Sequence, residues 1–157
     1  MPVTRGHRGS ARYRDRVAPQ SPAADGSARE PVLIGLSPPA RRSLVAGLVR
    51  APGDRPAHQV LDADRPDAEV ADFLAGIAHT DTGYIARTDD GARALGIVAA
   101  TTAALCGEDI RAALREPDIA FLTGLKPAAI EAVRQVLLAV ETERPDQVRQ
   151  GLSVLGD

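Results

Sequence analysis

The side chains of this sequence that could bind a metal or transfer a proton are concentrated between residues 54 and 72. Six carboxylates stand there beside two arginines: Asp54, Asp62, Asp64, Asp67, Glu69 and Asp72, with Arg55 and Arg65. On a helix, His58 and Asp62 would lie one turn apart, the spacing of two metal ligands or of a base and the acid that orients it. One such pair lacks the three or four ligands of a metal site, and DADRPDAE lacks the glycine of a calcium loop. The sequence therefore predicts a charged surface here and no metal site.

The sequence shows no other pattern typical of catalysis. It contains no nucleophile elbow, no Gly-Lys-Ser/Thr phosphate loop and no Gly-x-Gly-x-x-Gly. The single cysteine, Cys106, stands in an apolar stretch without a nearby histidine, so we interpret it as a small core residue and expect no disulfide. Phe73, Tyr84 and Phe121 are few aromatic side chains for a cofactor pocket. We therefore predict no catalytic residue, no cofactor and no enzymatic activity.

Charge is unevenly distributed along the chain. The 157 residues carry a net charge of −2, but residues 1–30 hold six arginines and a net charge of +3, whereas the other 127 residues carry −5. Residues 1–31 contain few large apolar side chains, which predicts a disordered basic tail. No apolar stretch approaches the roughly 18 residues of a membrane helix, and one cysteine indicates a reducing compartment. We expect a cytoplasmic protein that does not enter a membrane.

Three helices are predicted between residues 37 and 79. Ser37 can cap the first, because the two prolines that follow are tolerated in a first turn. The segment PAHQVLDAD, residues 56–64, has the spacing of a second, short helix, and the third begins at Asp67. The apolar stripes are Leu44, Val45, Leu48 and Val49 in the first helix, and Val70, Phe73, Leu74 and Ile77 in the third.

The segment GYIARTDDGARALGIV, residues 83–98, allows two structures. Two short apolar runs flank Asp89-Asp90-Gly91, a sequence suited to a tight turn, which favours a β-hairpin. Alternatively, Thr88 or Asp90 caps a helix that runs on from Gly91 through an alanine-rich stretch. The first structure would add a two-stranded hairpin to an otherwise helical chain, and the second would not.

The C-terminal part is predicted to be helical. One helix runs through Leu105, is interrupted near Cys106-Gly107 and resumes to Leu114. PAAIEAVRQVLLAVETE, residues 127–143, predicts a last helix that Pro145 ends, and residues 146–157 are interpreted as a tail. The fold class that follows is mostly α with a small two-stranded β-hairpin. The apolar face of the last helix is formed by Ile130, Val133, Val136, Leu137 and Val140.

The order of these elements resembles a winged helix-turn-helix. LSPPARRSLVAGLVRAPG is similar to the family's opening helix, PAHQVLDADRPDAEVADFLAGIAHT to its helix-turn-helix and GYIARTDDGARALGI to its wing. With long helices following, the chain is most similar to the MarR type of bacterial transcriptional regulator. The resemblance divides the chain into a winged helix-turn-helix domain, residues 32–98, and C-terminal helices that form a dimer, residues 99–145.

The resemblance implies a homodimeric regulator that binds double-stranded DNA. In this family the third helix lies in the major groove, and the wing contacts the backbone or the minor groove. The residues that this arrangement would place on DNA are Arg65, His79, Arg87 and Arg93.

Two other classes of function stay open. The exposed side of the third helix would carry Glu69 and Asp72, and carboxylates oppose binding to a polyanion. The chain could therefore be a winged-helix-like module that has lost DNA binding and binds a protein partner through this acidic helix. An enzyme is the third class, and the sequence offers no candidate catalytic residue for it.

Overall fold

The fold combines a small sheet with helices, as seen in a computed structural model that describes residues 43–53 and 57–156. The strands within these residues are β1 (Val49–Arg50), β2 (Gln59–Asp62), β3 (Tyr84–Arg87) and β4 (Leu137–Glu141). The helices are α1 (Asp67–Ile77), α2 (Gly91–Cys106), α3 (Ile110–Arg115), α4 (Ile119–Thr123), α5 (Pro127–Val136) and α6 (Pro145–Leu152). A 3₁₀ turn, Ser153–Leu155, follows α6.

The four strands form one parallel sheet in the order β1-β4-β3-β2. β2 and β3 are joined through α1, and β3 and β4 through α2 to α5. Since parallel strands point the same way, their carboxyl ends meet at one edge of the sheet. This edge brings together residues that are up to 91 positions apart in the sequence.

The predicted fold class, mostly α with a two-stranded hairpin, is wrong, because the described residues form an α/β fold with a four-stranded parallel sheet. Central strands of such a sheet are covered on both faces and read as short apolar runs without the alternation of an exposed strand. In β3, Tyr84, Ile85 and Ala86 are all buried, and in β4 so are Ala139 and Val140. Periodicity alone does not distinguish such runs from helix.

The predicted hairpin in residues 83–98 is also wrong. Its first half is β3, but its second half opens α2, so that no wing forms among these residues. The carboxylate of Asp90 caps the helix by accepting hydrogen bonds from the backbone N–H groups of Ala92 (2.8 Å) and Arg93 (3.4 Å). The alternative of a helix running on from Gly91 is therefore confirmed, with Asp90 as the cap.

The three helices predicted between residues 37 and 79 have different outcomes. The start of the first lies outside the described residues, and residues 43–50 form turns followed by β1. The second is β2, because Val60 and Leu61 join the sheet edge. The third is confirmed as α1, with Val70, Leu74 and Ile77 buried. Phe73 is half-buried and packs edge-on against Tyr84, with ring centroids 5.3 Å apart.

The predicted last helix, residues 127–143, is in fact a helix followed by a strand. α5 ends at Val136, and the chain passes directly into β4. Leu137 and Val140 fit the helical spacing, but both are buried in the sheet. Pro145, expected to end a helix, is the first residue of α6, where its missing N–H costs nothing.

α2 is the central helix, and it contacts α1, α3, α5, α6 and β4. The predicted interruption is confirmed, since Gly107 ends α2 in the left-handed conformation with φ of 73°. Cys106 is exposed, so its interpretation as a core residue is wrong. With 16 residues, α2 is the longest helix in the described ranges. In the part of the chain that is described, no helix has the length and apolarity needed to cross a membrane.

Candidate functional site

A cleft of about 300 Å³ lies at the carboxyl edge of the sheet. In open α/β sheets, ligands bind outside the carboxyl ends of the strands, because the loops and helix N-termini that follow the strands leave a crevice there. We call this crevice the carboxyl-edge cleft. Its lining residues are Pro52, Asp62, Asp64, Arg87, Thr88, Asp89, Thr142 and Glu143.

A row of four charged residues crosses the sheet beside the cleft. Each strand ends in a charged residue, and sheet register aligns Arg50 with Glu141, Glu141 with Arg87, and Arg87 with Asp62. The charges alternate in sign along the row. Sequence reasoning missed this row, although one signal was present: every apolar run that became a strand stops at a charged side chain.

Glu141 is the buried member of this row, with its side chain only 1% exposed. Its Oε2 accepts a hydrogen bond from Arg87 (2.7 Å), and its Oε1 accepts from Arg50 (3.1 Å) and from the backbone N–H of Gly53 (3.3 Å). Burial raises the pKa of this carboxyl, but the hydrogen bonds from Arg87, Gly53 and Arg50 outweigh it, so the pKa is lowered. Glu141 is therefore ionised and forms an ion pair with both arginines.

Two buried threonines fix the loops that line the cleft. Thr88 donates to Oδ1 of Asp64 (2.7 Å), and Thr142 donates to Oδ1 of Asp89 (2.7 Å). Each threonine Oγ1 also accepts from the backbone N–H two residues later, at 3.1 and 3.0 Å. Asp89 accepts a second bond from the N–H of Glu143, and the bonds from Thr142 and Glu143 lower its pKa. The Asp89 carboxylate is thus held in one orientation at the cleft.

The cleft is acidic. Four of its lining residues are carboxylates, and within the described ranges none of the four forms an ion pair: Asp62, Asp64, Asp89 and Glu143. Among the described lining residues, Arg87 is the one that is basic, and its guanidinium already contacts the buried Glu141. A positive charge entering the cleft would therefore meet several unpaired carboxylates.

Arg93 ties the loop between β2 and α1 to the first turn of α2. Its Nε donates to the carbonyl of Ala63 (2.6 Å), and its two terminal nitrogens donate to Asp67 (2.7 Å) and to the carbonyl of Arg65 (2.9 Å). The pKa of Asp67 is lowered, mainly by the hydrogen bond from Arg93 and to a smaller extent by the hydrogen bond from Arg115. Because this loop carries Asp64, Arg93 is a positioning residue for one wall of the cleft.

The structure brings three of the four predicted DNA-contact residues to the carboxyl edge. Arg87 lies in the cleft. The side chain of Arg93 is 18% exposed and holds the neighbouring loop. The side chain of Arg65 is 60% exposed and pairs with Glu69 at 3.6 Å. His79 is exposed at the opposite end of α1. The four side chains therefore do not share one surface, and all three arginines bind carboxylates of their own chain.

The predicted His58–Asp62 pair does not form a helical turn, since Asp62 ends strand β2 and His58 precedes it. Among residues 43–53 and 57–156, no three or more His, Cys, Asp or Glu side chains are arranged to hold a metal ion.

No family model, curated protein or solved structure matches this chain. Its function is therefore inferred from the geometry and charge of its own residues.

Proposed function

We propose that this domain binds a small organic cation, carrying ammonium or guanidinium groups, in the carboxyl-edge cleft. One observation carries this function: carboxylates that form no ion pair with a described residue surround a cleft whose one described arginine already contacts the buried Glu141. The cleft volume of about 300 Å³ is at the small end of ligand pockets. It fits a ligand of the size of a polyamine or a basic amino acid.

The chemistry of the lining favours a ligand with several N–H donors. Asp62, Asp64 and Glu143 are exposed acceptors, and Asp89 is an acceptor already oriented by Thr142. An ammonium offers three donors and a guanidinium five, so that one ligand can reach more than one carboxylate. A single metal ion is a poorer match, because among the described residues no three His, Cys, Asp or Glu side chains are grouped to hold one.

The cleft binds its ligand without a catalytic step. Its two hydroxyl groups, on Thr88 and Thr142, are buried and donate to carboxylates, so neither is available to attack a bound molecule. Duplex DNA is a poorer match to the cleft, because residues 83–98 form no wing and the carboxylates would repel phosphates. The protein acts in the cytoplasm, which its single cysteine supports.

Titration calorimetry with spermidine, L-arginine and MgCl₂ tests this function. Three charge-assisted hydrogen bonds of about 3 kcal/mol each, reduced by about 4 kcal/mol for association, leave about 5 kcal/mol, which corresponds to a dissociation constant on the order of 0.1 to 1 mM. Binding of an organic cation should weaken severalfold when salt rises from about 50 to about 500 mM. Absence of binding by either organic cation at low salt, or tighter binding of Mg²⁺, would refute the function.

A matched pair of variants locates the binding. Asp62→Asn with Asp64→Asn removes two charges from the cleft but keeps the oxygens that accept from the loop. Asp72→Asn with Asp81→Asn removes the same charge from α1 and the loop after it, outside the cleft lining. The first variant should lose about tenfold in affinity, as expected for one lost charge-assisted bond, and the second should bind normally. Equal losses would mean that the cation is attracted by net charge alone.

A further inference from the structure

A second depression, separate from the carboxyl-edge cleft, lies between α2, α3 and α4 and encloses about 410 Å³. Small and apolar side chains form its floor, and Phe121 stands at its side with 45% of its surface exposed. α3 crosses α2 closely at Gly96, where an added Cβ would lie 2.6 Å from the carbonyl oxygen of Leu114. We call this depression the acidic groove. Its floor consists of Ala99, Ala103, Ala112, Ala113 and Leu122.

The exposed phenylalanine is unusual for this molecule. Among the described residues, Phe121 and Val154 are the large apolar side chains that remain exposed, at 45% and 52%. They lie on neighbouring elements, since α4 packs against the 3₁₀ turn that carries Val154. Phe121 lines the groove and Val154 does not. A large exposed apolar side chain beside a depression marks a surface that a partner can cover.

The rim of the groove is negatively charged, and none of the described residues that line it is basic. Its four carboxylates form no ion pair with another described residue: Glu108, Asp109, Glu116 and Asp118. The arginines of α3 turn the other way, towards α1, where Arg111 lies 3.9 Å from Asp72 and Arg115 lies 3.1 Å from Asp67. α3 therefore shows its positive charge to α1 and leaves the groove side negative.

We propose that the acidic groove docks a basic amphipathic segment of a partner protein. A large apolar side chain of the segment covers the alanine floor beside Phe121, and lysines or arginines on either side of it contact the rim carboxylates. Charge complementarity selects this occupant. A second copy of the chain packed groove to groove would place like charges against each other, and a nucleic acid or an anionic membrane would be repelled by the rim.

This site differs from the acidic surface that the sequence analysis assigned to a protein partner. Glu69 and Asp72 on α1 pair with Arg65 and Arg111 at 3.6 and 3.9 Å. The groove carboxylates form no ion pair with any described residue, so a basic segment gains more by binding there than on α1. The inference is also independent of the cation cleft, which lies at the ends of the strands and shares no lining residue with the groove.

Fluorescence anisotropy with labelled synthetic peptides tests the docking. The probe is a short amphipathic helix former with lysines and arginines around two leucines. One control peptide replaces the leucines by serine, and another replaces the basic residues by glutamate. The first peptide should bind and should weaken severalfold as salt rises from about 50 to about 500 mM, and both controls should bind at least about tenfold more weakly. Equal binding of the acidic peptide would overturn the inference.

Variants of the protein locate the peptide. Phe121→Ser, and separately Glu108→Gln with Glu116→Gln, should each reduce affinity by about tenfold. Val154→Ser is the matched control, since it removes an exposed apolar side chain outside the groove and should leave affinity unchanged. Thermal melts of each variant verify folding, and the double variant keeps a test open if Phe121→Ser does not fold. Equal loss in the control would overturn the docking site.

The other occupants give distinct results. In sedimentation velocity of the full chain, Phe121→Ser should not convert a dimer into a monomer. Vesicles that contain anionic lipid should not bind the protein. A dimer lost in that variant, or vesicle binding that depends on Phe121, would overturn the inference in favour of a second copy or a membrane. Asp62→Asn with Asp64→Asn should leave peptide affinity unchanged, so that a failure here is separate from a failure of the cation cleft.

Discussion

Glu141 and Arg87 are register partners on neighbouring strands, and their side chains meet at 2.7 Å between Oε2 and a terminal guanidinium nitrogen. Arg50 contacts the other carboxylate oxygen from the opposite side. One buried carboxylate thus joins the two strands that flank β4, at the point where all four strands open into the cleft. Its ionisation controls the stability of this edge and keeps Arg87 from neutralising the cleft.

Glu141→Gln should destabilise the protein. The substitution keeps the size of the side chain but leaves two arginines without a counter-charge, a change that costs about 3 to 5 kcal/mol in a fully buried pair. Since Arg87 and Arg50 are about half exposed, water reduces the cost, and we expect about 2 kcal/mol. Urea unfolding measures it. Asp146→Asn, which breaks the exposed pair with Arg149, is the control and should change stability by less than about 0.5 kcal/mol.

The contribution of Glu141 should depend on pH. Because its pKa in the folded protein lies below its ordinary value of 4.5, the stabilisation is complete above that value and is lost as pH falls through the folded pKa. The difference in free energy of unfolding between the native protein and Glu141→Gln should therefore be largest near about pH 7 and shrink towards about pH 3. A difference that stays constant over this range would contradict the ionised pair.

The parts of the fold that depend on residues close together in the sequence could be predicted from the sequence. α1 follows from four apolar residues on one helical face, and the end of α2 follows from Gly107. The start of α2 was within reach as well, because Asp90 is a strong N-cap residue, yet the same Asp-Asp-Gly also suits a hairpin turn. Local chemistry allowed both structures there, and packing of Ala94, Ile97 and Val98 in the core decided between them.

The sheet and the candidate site depend on contacts between distant residues. Nothing local distinguishes LLAV of β4 from one more turn of α5, and the strand forms because β3 and β1 cover its two edges. Glu141 meets Arg50 across 91 positions, so the site exists only once the strand order is known. The charged residues at the ends of the apolar runs could be read from the sequence, but the contacts between them could not.

Arg93 and Arg65 should respond differently to substitution by alanine. Arg93→Ala removes three hydrogen bonds that hold the loop after β2, and we expect a loss of about 2 to 3 kcal/mol. Arg65→Ala removes an exposed ion pair with Glu69 and should cost less than about 0.5 kcal/mol. Urea unfolding distinguishes the two. If both variants instead kept full stability and lost affinity for duplex DNA, the regulator predicted from the sequence would be supported.

Two helical glycines should give effects of opposite sign when changed to alanine. A Cβ on Gly151 would lie 2.4 Å from the carbonyl carbon of Gly91, where α6 packs against the first turn of α2, so Gly151→Ala should destabilise by about 1 to 3 kcal/mol. A Cβ on Gly76 in α1 meets no atom within 4 Å, so Gly76→Ala should stabilise by about 0.5 to 1 kcal/mol. Thermal and urea unfolding of both variants test this, and a neutral Gly151→Ala would mean that α6 does not pack this closely.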